Sequence, residues 1–264
     1  MAIRIGINGA AGRMGQRLVA LASSDPDLRV VAALEQASHP KHGADAGVVA
    51  GIGAIGVPLS STLPLPVDMV IDFSVPQATA AILATCLENR VPLVVATTGL
   101  EPEQHEKLRE AGQQLPILWA PSMSLAVNLA MKLSEVAARA LKDHPSGADV
   151  EIIERHHRFK EDAPSGTALK FGEIIAGVMG QQEQRHGRSG RPGQRPHGEI
   201  GYHALRTGDN YGEHTIVFGL LGETLEISVK ASNRDCYAHG ALAAAKFLAG
   251  KPAGLYSMKD VLEG

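Results

Sequence analysis

The sequence is poor in cysteine, in long apolar runs and in net charge, and each shortage excludes a class of protein. Its two cysteines, Cys86 and Cys236, lie far apart, which excludes a disulfide scaffold and a cysteine metal motif and favours a reducing cytoplasm. No apolar run approaches the roughly 20 residues that cross a bilayer, and no secretory leader precedes the first strand pattern. The net charge of −3 provides no field for nucleic acid or an anionic membrane. We therefore expect a cytoplasmic globular protein with neither partner.

Three glycines open the first half of the chain. A strand pattern over residues 3–7 runs into Gly9, Gly12 and Gly15, and a helical pattern follows. Glycines here permit a tight turn, let backbone amides approach a pyrophosphate and let helix and strand pack closely, and the helix N-terminus attracts phosphate. A second strand pattern ends at Glu35, where a carboxylate accepts hydrogen bonds from ribose hydroxyls. The pattern predicts a dinucleotide site; the alternatives are a glycine turn without a ligand and a solvated glutamate.

Strand and helix patterns alternate through the rest of this half. Apolar strand patterns cover residues 67–73, 93–96 and 117–120, with helical patterns between them and an irregular excursion over residues 36–66. Such alternation predicts a Rossmann-like, doubly wound parallel sheet, whose ligands lie at the carboxyl ends of the strands. The candidate cofactor contacts at those ends are Phe73, Ser74, Thr97, Thr98, Ala120, Pro121, Ser122 and Met123, although ordinary loop chemistry explains any single one.

The second half predicts an α+β unit. Residues 125–142 form a helical pattern whose apolar stripe holds Leu129, Leu133, Val136 and Ala137. Residues 181–198 are predicted to be a mobile surface loop, and the lack of aromatic residues disfavours a nucleic-acid tail there. Three strand patterns follow, with short turns that predict antiparallel neighbours in an open mixed or antiparallel sheet. The open face of this sheet needs cover, and self-association is one way to supply it. The strand patterns cover residues 200–206, 214–220 and 224–231.

The densest polar chemistry lies at residues 154–168, between a strand pattern and a helical pattern. It holds His156, His157, Lys160 and the turn Ser165-Gly166-Thr167. Adjacent strand residues point to opposite faces and no H-x-x-x-H spacing occurs, so metal ligation is disfavoured; structural histidines are a second alternative. The turn presents amides and hydroxyls to an anion, the lysine adds positive charge, and an imidazole transfers protons near neutral pH. With a dinucleotide fold, these features predict reduction of a small carboxylate.

The stretch E-x-H-H-R-x-K-x-D-A-P-S-G-T-A at 154–168 resembles the signature of the dihydrodipicolinate (4-hydroxy-tetrahydrodipicolinate) reductase family. Further agreement, at the glycine turn and the strand ends among other places, extends the resemblance over nearly the whole chain. It implies reduction of a cyclic imine dicarboxylate to tetrahydrodipicolinate in diaminopimelate and lysine biosynthesis, with NADH or NADPH. It also implies a dinucleotide domain (1–124 with 235–264), a substrate and tetramerisation domain (125–234), and a homotetramer built through the sheets of the latter.

The resemblance implies roles for particular residues. The implied catalytic residues are His156, as proton donor or acceptor, and Lys160, as proton donor; which of them delivers the proton stays open. Gln36 stands where some members carry a basic residue, which favours NADH or dual use over strict NADPH dependence. No metal is implied. The substrate contacts are His157, Gly166 and Thr167, beside Ser165 of the same turn; the cofactor contacts are Gly9, Ala10, Ala11, Gly12, Arg13, Met14, Glu35, Ala96, Thr97, Thr98, Ala120, Pro121, Ser122 and Met123, to which strand-end position adds Phe73.

Three other functions are compatible with these residues. The first is another nicotinamide oxidoreductase, acting on an aspartate-derived amino or keto acid, which a substrate panel distinguishes. The second is an NAD-sensing module, which would bind cofactor without turnover and leave the His and Lys cluster unexplained. The third, a zinc hydrolase, is disfavoured by the absence of ligand spacing and is tested by metal analysis.

Overall fold

The chain divides into two compact units. The computed structural model describes residues 2–264. The first unit joins the residues up to Leu125 with Arg234–Gly264, and the second unit is Ala126–Asn233. Of the described helices, none is long and apolar enough to span a membrane.

The first unit begins with the alternating strands and helices that the apolar patterns predict. Pro76 and Pro102 stand in the first turns of two helices, where the missing N–H of proline is not needed. The elements are β1 (Ile3–Asn8), α1 (Arg13–Ser23), β2 (Leu28–Leu34), α2 (Ala46–Val49), β3 (Leu59–Ser60), β4 (Met69–Asp72), α3 (Pro76–Asn89), β5 (Leu93–Val95), α4 (Pro102–Gly112) and β6 (Pro116–Trp119).

Residues 36–66 are mostly irregular, as predicted, but they are organised by one side chain. The Asp45 carboxylate accepts hydrogen bonds from five backbone amides, two in α2 and three just before β3. These bonds satisfy amides that a loop would otherwise leave to water and hold the pKa of Asp45 below its ordinary value. The segment therefore folds around a local polar centre, which hydrophobic periodicity does not reveal.

The second unit covers one face of a five-stranded sheet with two helices. Its elements are α5 (Leu125–Leu141), β7 (Asp149–His156), α6 (Gly166–Met179), β8 (Glu183–His186), β9 (Glu199–Arg206), β10 (Glu213–Gly219) and β11 (Thr224–Lys230). The strand order is β11-β10-β7-β9-β8. β10 pairs antiparallel with β11 and β7, whereas β7, β9 and β8 are parallel neighbours. The core under the helices includes Val150, Ile152, Phe171, Tyr202, Ile216 and Phe218.

The mixed sheet corrects the expectation of antiparallel sequence neighbours. The β10–β11 hairpin is antiparallel as predicted, but β9 is not adjacent to β10, because β7 lies between them. α6 lies between β7 and β9 in the chain, and it serves as the crossover connection that parallel neighbours require. The short β9–β10 connection therefore does not make these two strands partners.

The prediction of a loop over residues 181–198 is wrong for Glu183–His186, which form the edge strand β8. All four residues of β8 are exposed, so no alternating apolar pattern marks the strand. Beyond it, Arg188 pairs with Glu151 and Glu199, and Arg195 pairs with Glu151 and Asp149. Two arginines of this segment, Arg188 and Arg195, are therefore held by carboxylates of the same unit.

Helix α5 is confirmed, but the predicted apolar stripe is not its buried face. Leu129, Leu133 and Val136 are 46%, 48% and 57% exposed, and only Ala137 of the predicted stripe is buried. The buried face also holds Val127, Ala130, Ser134 and Ala138. Small residues let the helix lie close to its neighbours, and periodicity alone does not distinguish such a face from a leucine stripe.

The chain returns to the first unit with α7 (Asp235–Leu248), β12 (Gly254–Tyr256) and α8 (Met258–Glu263). The completed sheet has the order β12-β6-β5-β4-β1-β2-β3, and every pair is parallel. One apolar core includes residues of α1 and α7, and a second includes residues of α3 and α4. The doubly wound parallel sheet predicted from the sequence is thus confirmed.

Candidate active site

Strand β7 carries the acid–base residues of the second unit. Its side chains alternate, and those of Val150, Ile152, Glu154 and His156 face the buried side. Glu154 and His156 are therefore neighbours on one face, because they are two positions apart in the strand. β10 and β9 flank β7 and bring His214 and Arg206 to the same place.

Glu154 is a buried carboxylate with every oxygen bonded. Oε2 accepts a hydrogen bond from His156 Nδ1 at 2.5 Å and one from Arg206 Nη1 at 2.9 Å. Oε1 accepts one from Arg206 Nη2 at 2.8 Å and one from the Ser165 amide at 3.1 Å. Burial acts to raise the pKa of Glu154, but the bonds from Arg206 and His156 outweigh it and hold the pKa below its ordinary value.

His156 is held as a neutral ring with a defined tautomer. Because the ionised Glu154 carboxylate can only accept hydrogen bonds, Nδ1 of His156 carries the proton and Nε2 keeps its lone pair. Burial lowers the pKa of His156 below its ordinary value, although the bond to Glu154 acts in the opposite direction. Gly212 leaves room at Nε2, since a Cβ there would lie only 2.9 Å from that atom. The free Nε2 is an acceptor near neutral pH.

A second buried histidine supports the helix that follows. His214 lies edge-on to His156, with 5.2 Å between ring centroids, and its Nε2 bonds the Ser165 hydroxyl at 3.1 Å. The same hydroxyl accepts from the Ala168 amide and so caps α6. Burial lowers the pKa of His214 to about 4, aided by repulsion from His156. Ser165, predicted as a substrate contact, is thus buried and committed to its own helix.

The other predicted substrate contacts lie at this helix end and just after β7. Gly166 and Thr167 begin α6, where the first amides of a helix have no intrahelical partner and attract anions. His157 Nδ1 is a buried atom with no hydrogen-bond partner among the described residues. A buried polar atom without a partner is unfavourable unless a ligand or water satisfies it.

Lys160 brings positive charge to the same site. Its Nζ donates to Asp162 Oδ1 at 2.7 Å, and its side chain is 23% exposed. Its charge contributes to lowering the pKa values of both His156 and His214. Among the residues that the structure describes, no group of three His, Cys, Asp or Glu side chains could hold a metal ion.

The glycine-rich turn of the first unit approaches other backbone closely. Gly9 has φ +80°, and a Cβ there would lie 2.5 Å from the Phe73 carbonyl oxygen. A Cβ on Gly15 would lie 2.1 Å from the Gly9 oxygen, so the strand and helix meet at these two positions. Gly12, in contrast, is exposed and lines a cavity of about 730 Å³. The turn therefore presents backbone to this cavity, as pyrophosphate binding requires.

Glu35 lies at the end of β2 and lines the same cavity. Its Oε2 accepts from the Ala11 amide at 3.3 Å, and its Oε1 accepts from the Gln36 amide at 3.1 Å. The carboxylate is thereby fixed against the glycine turn. The neighbours that line this part of the cavity are neutral: Gln36, Ser61, Thr62 and Leu63.

The strand ends beside the turn meet at a buried carboxylate. Asp72 accepts hydrogen bonds from Asn8 Nδ2 and from the hydroxyls of Ser74, Thr79 and Thr97, at 2.5 to 2.9 Å. Of the predicted cofactor residues, Ala10, Ala11, Ala96, Thr97, Ala120 and Met123 are buried, Met14, Phe73 and Ser122 are half-buried, and Arg13, Thr98 and Pro121 are exposed.

Three polar residues of the site had no role in the sequence prediction: Glu154, Arg206 and His214. The alternation of β7 places Glu154 beside His156 and could have identified it. Arg206 and His214 come from strands whose pairing with β7 was not predicted, so no local pattern connects them.

Comparison with known proteins gives matches over almost the whole chain. Residues 3–123 match the family model for the dihydrodipicolinate reductase N-terminus, and residues 126–262 match that for the C-terminus. A 4-hydroxy-tetrahydrodipicolinate reductase of Rhodopirellula baltica is 56% identical over 98% of this chain and 96% of its own. That of Methylococcus capsulatus is 44% identical over 99% and 98%. A solved dipicolinate-bound dihydrodipicolinate reductase from Paenisporosarcina sp. TG-14 is 26% identical, with a TM-score of 0.79 over 98% of this chain and 99% of that one.

Proposed function

Because the chain belongs to the dihydrodipicolinate reductase family, we propose that its two units divide the parts of one reduction between them. Its activity is that of a 4-hydroxy-tetrahydrodipicolinate reductase, an oxidoreductase of lysine biosynthesis. The overall change removes the 4-hydroxyl group as water and adds a hydride and a proton to the ring. The protein must therefore bind a cyclic dicarboxylate, hold a hydride donor and deliver a proton.

The observation that carries the proposal is the cluster of His156, Lys160 and the α6 N-terminus on the second unit. It combines an imidazole of defined tautomer, a lysine charge and helix amides at one site. An anion cradle with proton-transfer groups is what an acidic substrate that gains a proton requires. Dipicolinate, bound in the Paenisporosarcina structure, is the corresponding aromatic dicarboxylate and is the ligand we expect here.

Substrate carboxylates bind at the amides of Gly166 and Thr167 and at the Lys160 ammonium. His157 offers the buried Nδ1 atom that has no protein partner among the described residues. Ser165 contributes indirectly, because its hydroxyl caps α6 and its amide bonds Glu154. Fixing both ends of the substrate orients the ring for reaction.

Lys160 is the proton donor in this proposal, and His156 is an acceptor. The lowered pKa of His156 and its bond to Glu154 leave Nε2 without a proton near neutral pH. A neutral ring in this tautomer accepts a hydrogen bond or a proton from the substrate but has none to give at Nε2. Lys160 carries a transferable proton and, being partly exposed, recovers it from solvent.

The cofactor binds to the first unit, and NADH is the form that its residues favour. The residues present fit a dinucleotide: exposed Gly12 for the pyrophosphate and fixed Glu35 for the ribose hydroxyls, with Ala96–Thr98 and Ala120–Met123 at the strand ends. When bound, the nicotinamide supplies the hydride. Glu35 repels a 2′-phosphate, and neutral Gln36 offers it no counter-charge, so NADPH is the weaker cofactor.

Assembly as a homotetramer covers the open face of the second unit's sheet. Opposite the helices, this face exposes Ile153 on β7 and Leu205 on β9, at 39% and 47%. Apolar side chains on an open sheet favour association between copies. The outer side of β7 and β9 is therefore the proposed subunit contact.

The direct test is reduction of freshly made aldol-condensation product by the purified protein, with NADH and NADPH in turn. Oxidation of the reduced cofactor is followed by absorbance, with aspartate-derived amino and keto acids as alternative substrates. We expect turnover of the cyclic substrate only, with kcat/KM higher for NADH. Binding of NADH without turnover would contradict the proposal and favour a sensor.

A further inference from the structure

We propose that Glu154 is a positioning residue that holds the proton-transfer ring and the anion-binding end of α6 as one unit. The inference rests on the proposed function of His156 and the α6 N-terminus, and it assigns to Glu154 the task of aligning the two. Glu154 itself is 1% exposed and is not placed to touch substrate.

The two oxygens of the carboxylate serve two different parts of the site. Oε2 fixes the imidazole through His156 Nδ1, and Oε1 fixes the start of α6 through the Ser165 amide. Arg206 binds both oxygens, with Nη1 on one and Nη2 on the other, so the carboxylate cannot rotate without breaking a bidentate pair. A shift of α6 would therefore move the ring as well.

The same arrangement selects the tautomer of His156. A carboxylate accepts only, so it keeps the proton on Nδ1 and the lone pair on Nε2. A glutamine in its place presents either C=O or NH₂ to the ring and no longer selects between the tautomers. The positioning role is therefore distinguishable from mere support of the fold.

The groups that face His156 determine how its titration responds. They are Glu154 on β7, Arg206 on β9, His214 on β10 and Lys160 in the loop after β7. Glu154 favours the protonated ring, whereas Arg206 and Lys160 disfavour it. Removing the carboxylate charge therefore lowers the pKa of His156.

Glu151, on the opposite face of β7, provides a matched control. It also binds two arginines and a histidine: Arg188 at 2.7 and 3.0 Å, Arg195 at 3.0 Å, and His203 at 2.7 Å. Glu151 and Glu154 are three positions apart in the strand, so their side chains lie on opposite faces. General damage to β7 would appear in both variants.

The experiment measures the pH dependence of kcat/KM and the Kd of pyridine-2,6-dicarboxylate for wild type, Glu154→Gln and Glu151→Gln. For Glu154→Gln we expect kcat/KM to fall about 100-fold, of the order that general acid–base catalysis contributes. We also expect the acidic limb of the kcat/KM profile to move to lower pH and the Kd of pyridine-2,6-dicarboxylate to rise in this variant. Glu151→Gln should keep the wild-type limb and Kd.

The double variant Glu154→Gln with Arg206→Met removes the buried carboxylate and its half-buried guanidinium partner together and leaves neither charge unpaired. It should fold and show the same loss of kcat/KM. An unshifted acidic limb with an unchanged Kd in Glu154→Gln, wild-type kcat/KM in the double variant, or equal effects of Glu151→Gln would overturn the inference. Lack of turnover by wild type would instead contradict the proposed function.

Discussion

At the scale of residues, the site is governed by protonation states that burial imposes. His156 and His214 lie edge-on in a buried pocket, and burial lowers the pKa of each. Glu154 stays ionised because the Arg206 guanidinium binds both of its oxygens and helps to hold its pKa below the ordinary value. The site thus places neutral imidazoles next to fixed charges, and this arrangement makes one ring a proton acceptor near neutral pH.

His214 makes folding sensitive to mild acid. Its pKa is about 4 in the folded protein against the ordinary 6.5, so the unfolded chain binds a proton that the folded chain excludes. The stability it contributes is present above pH 6.5 and is lost as the pH falls toward 4, by about 3 kcal/mol in all. Denaturant unfolding of wild type and His214→Gln at several pH values should show a smaller loss on acidification in the variant.

Exposed His42 supplies the control for this prediction. His42→Gln should lose stability between pH 6.5 and 4 as wild type does. If the free energy of unfolding falls equally with pH in wild type and His214→Gln, proton exclusion by His214 does not destabilise the protein in acid.

The sequence predicted some of these residues and missed others for a physical reason. His156, Lys160 and the Ser165-Gly166-Thr167 turn were predicted as a site because they are close in the chain. Arg206 and His214 reach the site through pairing of β7 with β9 and β10, over about fifty residues or more. Ser165 was predicted as a contact, but its hydroxyl bonds His214 and Ala168, which only the fold reveals.

At the scale of elements, the β1–α1 turn depends on glycine for close approach. In Gly15→Ala, the new Cβ would lie 2.1 Å from the Gly9 oxygen and 2.6 Å from Ala10 Cα. The turn must move, which costs roughly 1–3 kcal/mol of stability and displaces the amides proposed to face the pyrophosphate. Calorimetry should show weaker NADH binding together with a lower melting temperature.

Gly177→Ala tests the opposite case. Gly177 lies on the exposed face of α6, and a Cβ there meets nothing within 4 Å. Alanine should stabilise the helix by up to about 1 kcal/mol and leave NADH binding unchanged. Weaker NADH binding in this variant, or unaltered binding in Gly15→Ala, would contradict the proposed role of the turn.

Elements were predictable where a local pattern defines them. The strands of the first unit are mainly apolar, and proline or glycine marks their helices, so the parallel sheet followed from the sequence. β8 has only exposed polar residues and is stabilised by pairing with β9, so no periodicity announces it. The Asp45 centre likewise depends on hydrogen bonds that its carboxylate accepts from amides ten or more residues further along the chain.

At the scale of the whole molecule, the proposed assembly depends on the outer face of the second unit's sheet. Ile153→Arg places a charge in the proposed subunit contact, where desolvation of an unpaired charge is unfavourable. We expect the tetramer to dissociate to smaller species in sedimentation experiments. Leu129→Arg, on the exposed face of α5, should leave the tetramer intact; a tetramer in both variants would contradict the sheet contact.

The most direct test of the account is kcat of Lys160→Met at saturating NADH, compared with Lys170→Met. Lys170 lies on α6 and pairs with Glu173, so it serves as the control for loss of a lysine. With Lys160 as proton donor, kcat of Lys160→Met falls about 10²–10⁴-fold, while its NADH affinity and the kcat of Lys170→Met stay at wild-type values. Wild-type kcat in Lys160→Met would contradict the proposed active site.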